Sequence, residues 1–266
     1  MIMRFAAHYC QSEHEEHIMR IPLTQADVGK PLTIHKMANP ELGTRLGRMG
    51  LFEGSEILRL DQEVLVQPVR VRGPGGDAVI GGGMAMKIVV HLPDDRRLPL
   101  IEMQPRQSGH IEGLTGGVAL LETLETLGLK PDDPILFIRR LPPMEYVVIT
   151  EGGNRVRLTE GMAAKIWGRM GGRSMQLVSA RTSEPFEATR IMGGHNARRM
   201  LRDQGIEQGA KIRLEGVARA QSLRLTTRNP VGIATRQGLR LFLEDKDANE
   251  ILVRPVAERI APDVRG

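Results

Sequence analysis

Leu46-Gly47-Arg48-Met49-Gly50-Leu51 recurs as Leu124-Glu125-Thr126-Leu127-Gly128-Leu129, and again as Leu201-Arg202-Asp203-Gln204-Gly205-Ile206. The shared glycines stand 78 and 77 residues apart, and a second marker (Gly83-Met84, Gly161-Met162, Gly238-Leu239) follows each of them at 33 residues. Two markers that hold one spacing three times define an internal repeat, which outranks local propensity in setting the architecture. In each copy the first marker reads as the end of a short amphipathic helix. Glycine takes the left-handed position that a Cβ makes costly, and Leu46/Leu51, Leu124/Leu129 and Leu201/Ile206 supply the apolar contact of a Schellman cap.

A turn former follows three residues later (Gly54, Asp132, Gly209), and β-prone runs then begin at Ile57, Ile135 and Ile212. Further strands are expected at Val69-Arg70-Val71 before Gly73-Pro74-Gly75-Gly76, at Tyr146-Val147-Val148-Ile149 before Gly152-Gly153-Asn154, and at Leu223-Arg224-Leu225 before Asn229-Pro230. The last of these runs about one residue out of step, which implies a small insertion or deletion. Opening strands begin at Ile21-Pro22-Leu23 and Leu98-Pro99-Leu100, with Pro185-Phe186 as the poorer match in the third copy. Many short strands in about 75 residues predict a small barrel that closes its own sheet edges. The resulting division is a polar leader (1–19), three units (20–95, 96–181 and 182–258) and a tail (259–266), with junctions at 92–97 and 179–185.

The Pro-Leu start, the spacing of Leu46, Gly50, Leu51 and Gly54, and the turn from Gly83-Met84 to Ile88 resemble the ferrous iron transport protein A (FeoA) family. The resemblance covers about residues 20–258 in three copies and departs from the pattern at Asp132 and Gln204. It implies a mainly β chain of three tandem SH3-like β-barrels, each with short helices. It also implies a non-enzymatic cytoplasmic adaptor or regulator of ferrous iron transport that binds the membrane ferrous iron permease GTPase (FeoB) and is peripheral to the membrane through that partner. A related module closes certain metal-dependent repressors, but no winged-helix segment accompanies it here.

Composition fits that reading. The chain has 266 residues, and the repeat divides it into three small cores that need contact with one another, since a barrel of this size alone supplies on the order of 3–5 kcal/mol. The short linkers predict a compact pseudo-trimer within one chain. Aromatic residues make up only 3%, so Met84, Met86 and Met162 are read as core filler rather than metal ligands. A single cysteine excludes an internal disulfide framework, and the N-terminal residues lack the apolar length of a signal peptide.

The net charge of +5 is concentrated late in the chain, where Arg198, Arg199, Arg202, Arg213, Arg224 and Arg228 are the expected partner-binding residues. From the residues alone, that stretch is either a solvated surface or a face for an acidic partner, an anionic membrane or nucleic acid. Nucleic acid is disfavoured because stacking aromatics are nearly absent and Phe242 stands alone near the basic run. A metal-responsive or nucleic-acid-associated regulator using the third unit is the alternative function.

Catalytic and cofactor motifs are sparse. Gly73-Pro74-Gly75-Gly76 and Gly81-Gly82-Gly83 lack a following Gly-Lys-Ser/Thr and read as hairpin loops, so neither nucleotide hydrolysis nor a small-molecule substrate is expected. Of the seven histidines only the N-terminal ones cluster. Cys10, His14 and His17 fall on one face if the leader is helical, a donor set that suits iron or zinc; otherwise the segment is a plain polar leader. No nucleophile with a base stands at a recognisable spacing.

Overall fold

The computed structural model describes residues 20–220 and 227–256. In the first copy the chain forms β1 (Ile21–Pro22), β2 (Pro31–Met37), α1 (Pro40–Arg48), β3 (Glu56–Leu60), β4 (Val64–Leu65), β5 (Val69–Gly73), β6 (Gly76–Ile80), α2 (Gly82–Ala85) and β7 (Ile88–His91). The second adds β8 (Arg97–Pro99), β9 (Ser108–Leu114), α3 (Val118–Thr126), β10 (Pro134–Arg140), β11 (Met144–Thr150), β12 (Arg155–Thr159), α4 (Glu160–Ala163) and β13 (Ile166–Met170). The third adds β14 (Arg173–Gln176), β15 (Pro185–Ile191), α5 (His195–Arg202), β16 (Lys211–Arg219), β17 (Thr227–Arg228), β18 (Val231–Ala234), β19 (Arg240–Leu243), α6 (Asp245–Asn249) and β20 (Ile251–Pro255).

The helix ends form as their sequences dictate. Asn39 caps α1 by accepting from the amides of Glu41 and Leu42, and Pro40 fills the first turn, where no amide is needed. At the far end, Leu51 N–H donates to Leu46 C=O at 3.1 Å and Gly50 N–H to Gly47 C=O at 3.0 Å, with Gly50 at φ +84°. Leu129 to Leu124 (2.8 Å) and Ile206 to Leu201 (2.9 Å) repeat the pattern over Gly128 and Gly205, so all three Schellman caps are present. The turn formers Gly54, Asp132 and Gly209 all have positive φ and donate to Ile34, Ile111 and Ala188 respectively. The Gly73-to-Gly76 segment is a hairpin turn between β5 and β6, as its composition implied.

Three six-stranded antiparallel sheets result, and all have one order: β1-β20-β2-β3-β18-β19, β8-β7-β9-β10-β5-β6 and β14-β13-β15-β16-β11-β12. None of them coincides with a sequence copy. The first half of each copy receives the hairpin and closing strand of the copy before it, and the third copy donates its own to the first. The middle sheet therefore runs from β5 to β10, the next from β11 to β16, and the last joins the two ends of the described chain. Sheet hydrogen bonds cross both expected junctions: β7 and β8 pair on either side of 92–96, and β13 pairs with β15 across the second. The mainly β, SH3-like architecture is as expected; among the described residues no ladder joins the two end strands of any one sheet, and β8 at the edge of the middle sheet makes a single bridge, Arg97 to Leu239, to the end-made sheet.

Proline accounts for the exchange. Pro68, Pro143 and Pro230 each stand immediately before the strand that leaves for the next sheet, and Leu141-Pro142-Pro143 is the whole connection between β10 and β11. Consecutive prolines hold the chain extended and cannot make the reversal that would return β11 to β10. The three crossing segments touch in pairs: Leu141 N–H donates to Pro68 C=O (2.8 Å), Ala220 N–H to Pro143 C=O (3.1 Å), and β17 pairs with β4.

The third copy corrects two further expectations. Its opening strand is β14, with Gln176 standing where Pro22 and Pro99 occur, whereas Pro185-Phe186 begins the strand equivalent to β2 and β9. Its counterpart of β5 and β11 is β18, so the length difference lies in the crossing segment. Leu223, Arg224 and Leu225 fall outside the described residues, and Gly238-Leu239 lies in the turn before β19 instead of matching the α2 and α4 markers.

Packing ties the units together. Val89 of the middle sheet is buried in the core of the end-made sheet, and Met192 and Phe242 are buried in the middle core, as is Met86. Met84 and Met162 pack against their cores. Gln176 is 4% exposed; its amide nitrogen donates to Val79 C=O and Ala164 C=O (2.7 Å each), and its oxygen accepts from Val79 N–H (2.8 Å). This side chain holds the unpaired edge of β6 against the neighbouring sheet.

Candidate functional sites

The expected arginine face separates into two places. Arg198, Arg199 and Arg202 stand exposed on α5, with Arg213 exposed on β16 of the same sheet and Met200 53% exposed between the helix arginines. Arg198 is committed to Glu122 of α3 at 3.3 Å, and Arg190 donates to Thr126 Oγ1 at 2.6 Å, both of them links between sheets. Among the described residues, Arg199, Arg202 and Arg213 have no ion-pair partner. Arg228 lies instead on the β4–β17 ribbon, near Lys87 and Lys165. There burial, reinforced by the positive charges of Arg228 and Lys87, pushes the Lys165 ammonium down from its ordinary value. Arg224 and the proposed leader ligands Cys10, His14 and His17 lie outside the described residues.

A cavity of about 540 Å³ opens where the middle and end-made sheets meet, between Gln62, Glu102, Arg97, Arg140 and Arg240. Its charges are engaged by the fold. Arg240 Nε stands 2.9 Å from Glu102, Gln62 donates to the same carboxylate at 3.3 Å, and Arg140 donates to the carbonyls of Ile101 and Met103. Burial pushes the Glu102 carboxyl up, and the two arginines and Gln62 oppose it. The cleft is a seam between sheets, stitched by its own side chains.

A more concentrated donor set lies on the middle sheet. His91 ends β7, and antiparallel register places it between Arg97 of β8 and His110 of β9. The two imidazole rings meet edge to face with centroids 4.9 Å apart. Between the Val89–Gly113 and Val90–Ile111 pairs the register slips, so Glu112 is the extra residue of a β-bulge. Its Oε2 lies 3.2 Å from His110 Nε2 and 3.5 Å from His91 Nδ1, while Oε1 is 3.6 Å from Arg97 Nε. On its other side, His91 Nε2 is 2.8 Å from Asp95 Oδ1, in the hairpin turn. The side chains of Glu112 and His91 are largely buried (17% and 22% exposed), and His110 opens to solvent at 44%.

Sequence reading found no cluster among these histidines because the two belong to different copies: His91 closes the first and His110 opens the second. Only the exchange of strands puts them side by side. The signal was nevertheless there, in the positions equivalent to His91 and His110 across the repeat. The same rung carries Arg169 and Glu187 in the β11–β16 sheet and Arg254 and Thr33 in the end-made sheet.

Comparison with known proteins gives one family. The FeoA domain model matches residues 21–92 and again 98–170. No curated protein and no solved structure matches the chain. The two matched segments end at β7 and β13, and so follow the sequence copies rather than the sheets.

Proposed function

Because the chain belongs to the FeoA domain family, which places it in ferrous iron transport, we propose that it is a non-enzymatic cytoplasmic adaptor that binds the membrane ferrous iron permease GTPase, FeoB. No helix among the described residues is long and apolar enough to cross a membrane, and in this reading the protein reaches the membrane through its partner. The observation that carries the proposal is the exposed α5 row, where Met200 projects beside Arg199 and Arg202, neither of which has an ion-pair partner among the described residues. Guanidinium groups flanking an apolar side chain suit an acidic helix or loop, and Arg is favoured at interfaces for its fork of donors and its weak hydration. The second copy supports this face through Arg198–Glu122 and Arg190–Thr126, both of them contacts to α3.

Binding of the full chain to the soluble GTPase domain of the permease is the test. Arg199→Glu with Arg202→Glu should weaken it by at least about tenfold, the loss expected for reversing charges at an interface. Unchanged binding removes α5 from the interface. A steeply salt-dependent affinity for duplex DNA, lost in the same variant, would instead support the nucleic-acid reading.

A further inference from the structure

We propose that His91, His110 and Glu112 form a binding site for a divalent first-row transition metal ion, with Asp95 orienting His91. The proposal stands apart from the permease reading and uses residues that the leader hypothesis does not.

Geometry carries the argument. His91 Nδ1 faces Glu112 Oε2 at 3.5 Å, and both side chains are largely buried. With a metal ion on Nδ1, the ring's N–H stands at Nε2, where it donates to Asp95 Oδ1 at 2.8 Å. His110 Nε2, 3.2 Å from the same oxygen, supplies a third donor, and all three donor atoms lie within 4.8 Å of one another. The two shorter edges match the separation of ligands around an ion bound at about 2.0–2.1 Å, and small ring rotations close the third. Two imidazoles and one carboxylate suit zinc, ferrous iron or cobalt, whereas calcium and magnesium favour all-oxygen sets.

The outer groups are those a metal site uses. A carboxylate on the distal nitrogen of a ligating histidine fixes its tautomer and raises its basicity, the role Asp95 has here. Asp95 reaches it from a left-handed turn position (φ +69°), which aspartate tolerates better than most residues. Arg97 stands beside the other oxygen of Glu112, leaving Oε2 for the ion. His110 faces solvent, so the site keeps an open side through which an ion can exchange or a partner's ligand can enter.

The scaffold does not require this set. In the β11–β16 sheet the same cross-strand pair is Arg169 and Glu187, an ion pair at 3.0 Å, and the bulge residue is Thr189; in the end-made sheet they are Arg254, Thr33 and His35. The fold forms with Arg–Glu or Arg–Thr at this rung, so it does not depend on two histidines around a carboxylate there. The middle unit alone has the donors.

The experiment uses the full chain stripped with chelator and titrated with Co²⁺, read by its visible d–d absorption and by competition with Zn²⁺. One equivalent should bind with a spectrum of nitrogen and oxygen ligation. His110→Ala and Glu112→Gln should each weaken binding at least about 30-fold, and Asp95→Asn about tenfold, as second-layer carboxylates do. A Cys10→Ala/His14→Ala/His17→Ala variant should keep the site. Imidazole ¹⁵N shifts of the wild type with Zn²⁺ should place the metal on His91 Nδ1, a reading that stands even if a variant misfolds. No binding by the wild type, equal affinity in Glu112→Gln and wild type, or loss confined to the leader variant would each overturn the proposal.

Discussion

The middle sheet and the end-made sheet have the same strand order, yet one is drawn from the continuous stretch between β5 and β10 while the other joins β1–β3 to β18–β20 from the far end of the chain. Their cores are built alike. Leu124, Leu129, Phe137 and Ile111 fill one; Leu46, Leu51, Ile34 and Val253 fill the other. The connection is therefore incidental to the packing solution, and the repeat seen in sequence is offset by half a unit from the body that folds. Joining distant ends costs little more in loop entropy than joining near ones, because that cost grows only with the logarithm of loop length. It does delay assembly, since non-local pairings form after local ones. The end-made sheet is accordingly the unit whose stability reports whether the whole ring of copies is closed.

Val253→Asp tests this most severely. Val253 is fully buried, opposite Ile21 on one side and Ile34 on the other, and an unpaired carboxylate there should cost more than about 3 kcal/mol. Hydrogen exchange should show β2 and β20 losing protection together although they are distant in sequence, while β11 and β16 keep theirs. Loss confined to β20 would mean that the two ends do not form one cooperative body.

The seam between sheets comes next. Gln176→Ala strands Val79 N–H and C=O and Ala164 C=O in a buried place, so a loss of about 2–4 kcal/mol is expected in urea denaturation, with the sheets themselves intact. A neutral outcome would show that the two sheets touch without holding each other.

The helix caps sharpen the comparison at smaller scale. A Cβ at Gly128 would approach Gly75 Cα of the neighbouring copy to 2.9 Å, whereas at Gly50 and Gly205 the nearest atoms are Arg97 Nη1 at 3.6 Å and Thr150 Cγ2 at 3.9 Å. All three have positive φ, so alanine should cost about 1 kcal/mol at Gly50 and Gly205 from backbone strain alone, and roughly twice that at Gly128. Equal melting temperatures for the three variants would show that the β5–β6 hairpin does not press on the α3 cap.

What could be read beforehand follows the range of the interaction concerned. The caps at Gly50, Gly128 and Gly205 and the turns at Gly54, Asp132 and Gly209 are decided by neighbours within a few residues, and those were legible. The exchange of halves was not, because a strand's partner is not written in the strand. Pro68, Pro143 and Pro230 did carry the information that each crossing strand is entered extended, but proline before a strand fits either destination. The third copy misled for a different reason: its longer crossing segment shifted the later markers, so that Gly238-Leu239 matched by spacing at a place where the structure has a hairpin turn. The donor set of His91, His110 and Glu112 depended on the exchange and on a bulge, neither of which leaves a local trace. The α5 arginines were legible as a charge run, but that Arg198 is spent on Glu122 and Arg228 lies elsewhere was not.

The smallest effect concerns the first residue of the second short helix in each copy, which is Gly82, Glu160 and Asp245 in turn. Gly82 is forced, since a Cβ would meet the Gln67 backbone at 2.6 Å, and Asp245 is exposed. Glu160 is 5% exposed, with Oε2 unpaired and Oε1 only 3.5 Å from the Tyr146 hydroxyl. Burial pushes its carboxyl above the ordinary value, against the pull of the Tyr146 hydrogen bond and of Arg70 and Arg139. The unfolded chain therefore ionises first, and stability is fully present below the ordinary carboxylate range and falls as pH rises through the raised folded value. Burial also pushes the Tyr146 hydroxyl up to about 12, aided by Glu160, so a second loss of the same sign begins above the ordinary tyrosine range. Glu160→Gln removes the first charge at every pH and should gain about 0.5–1 kcal/mol over wild type at neutral pH, with the gap closing towards pH 4. Tyr146→Phe should flatten the alkaline limb alone, and Asp245→Asn, at the exposed equivalent in the end-made sheet, should show neither change. Denaturant midpoints across pH 4 to 11 measure all three, and a gap for Glu160→Gln that is constant with pH would mean that the carboxyl ionises alike in the folded and the unfolded chain.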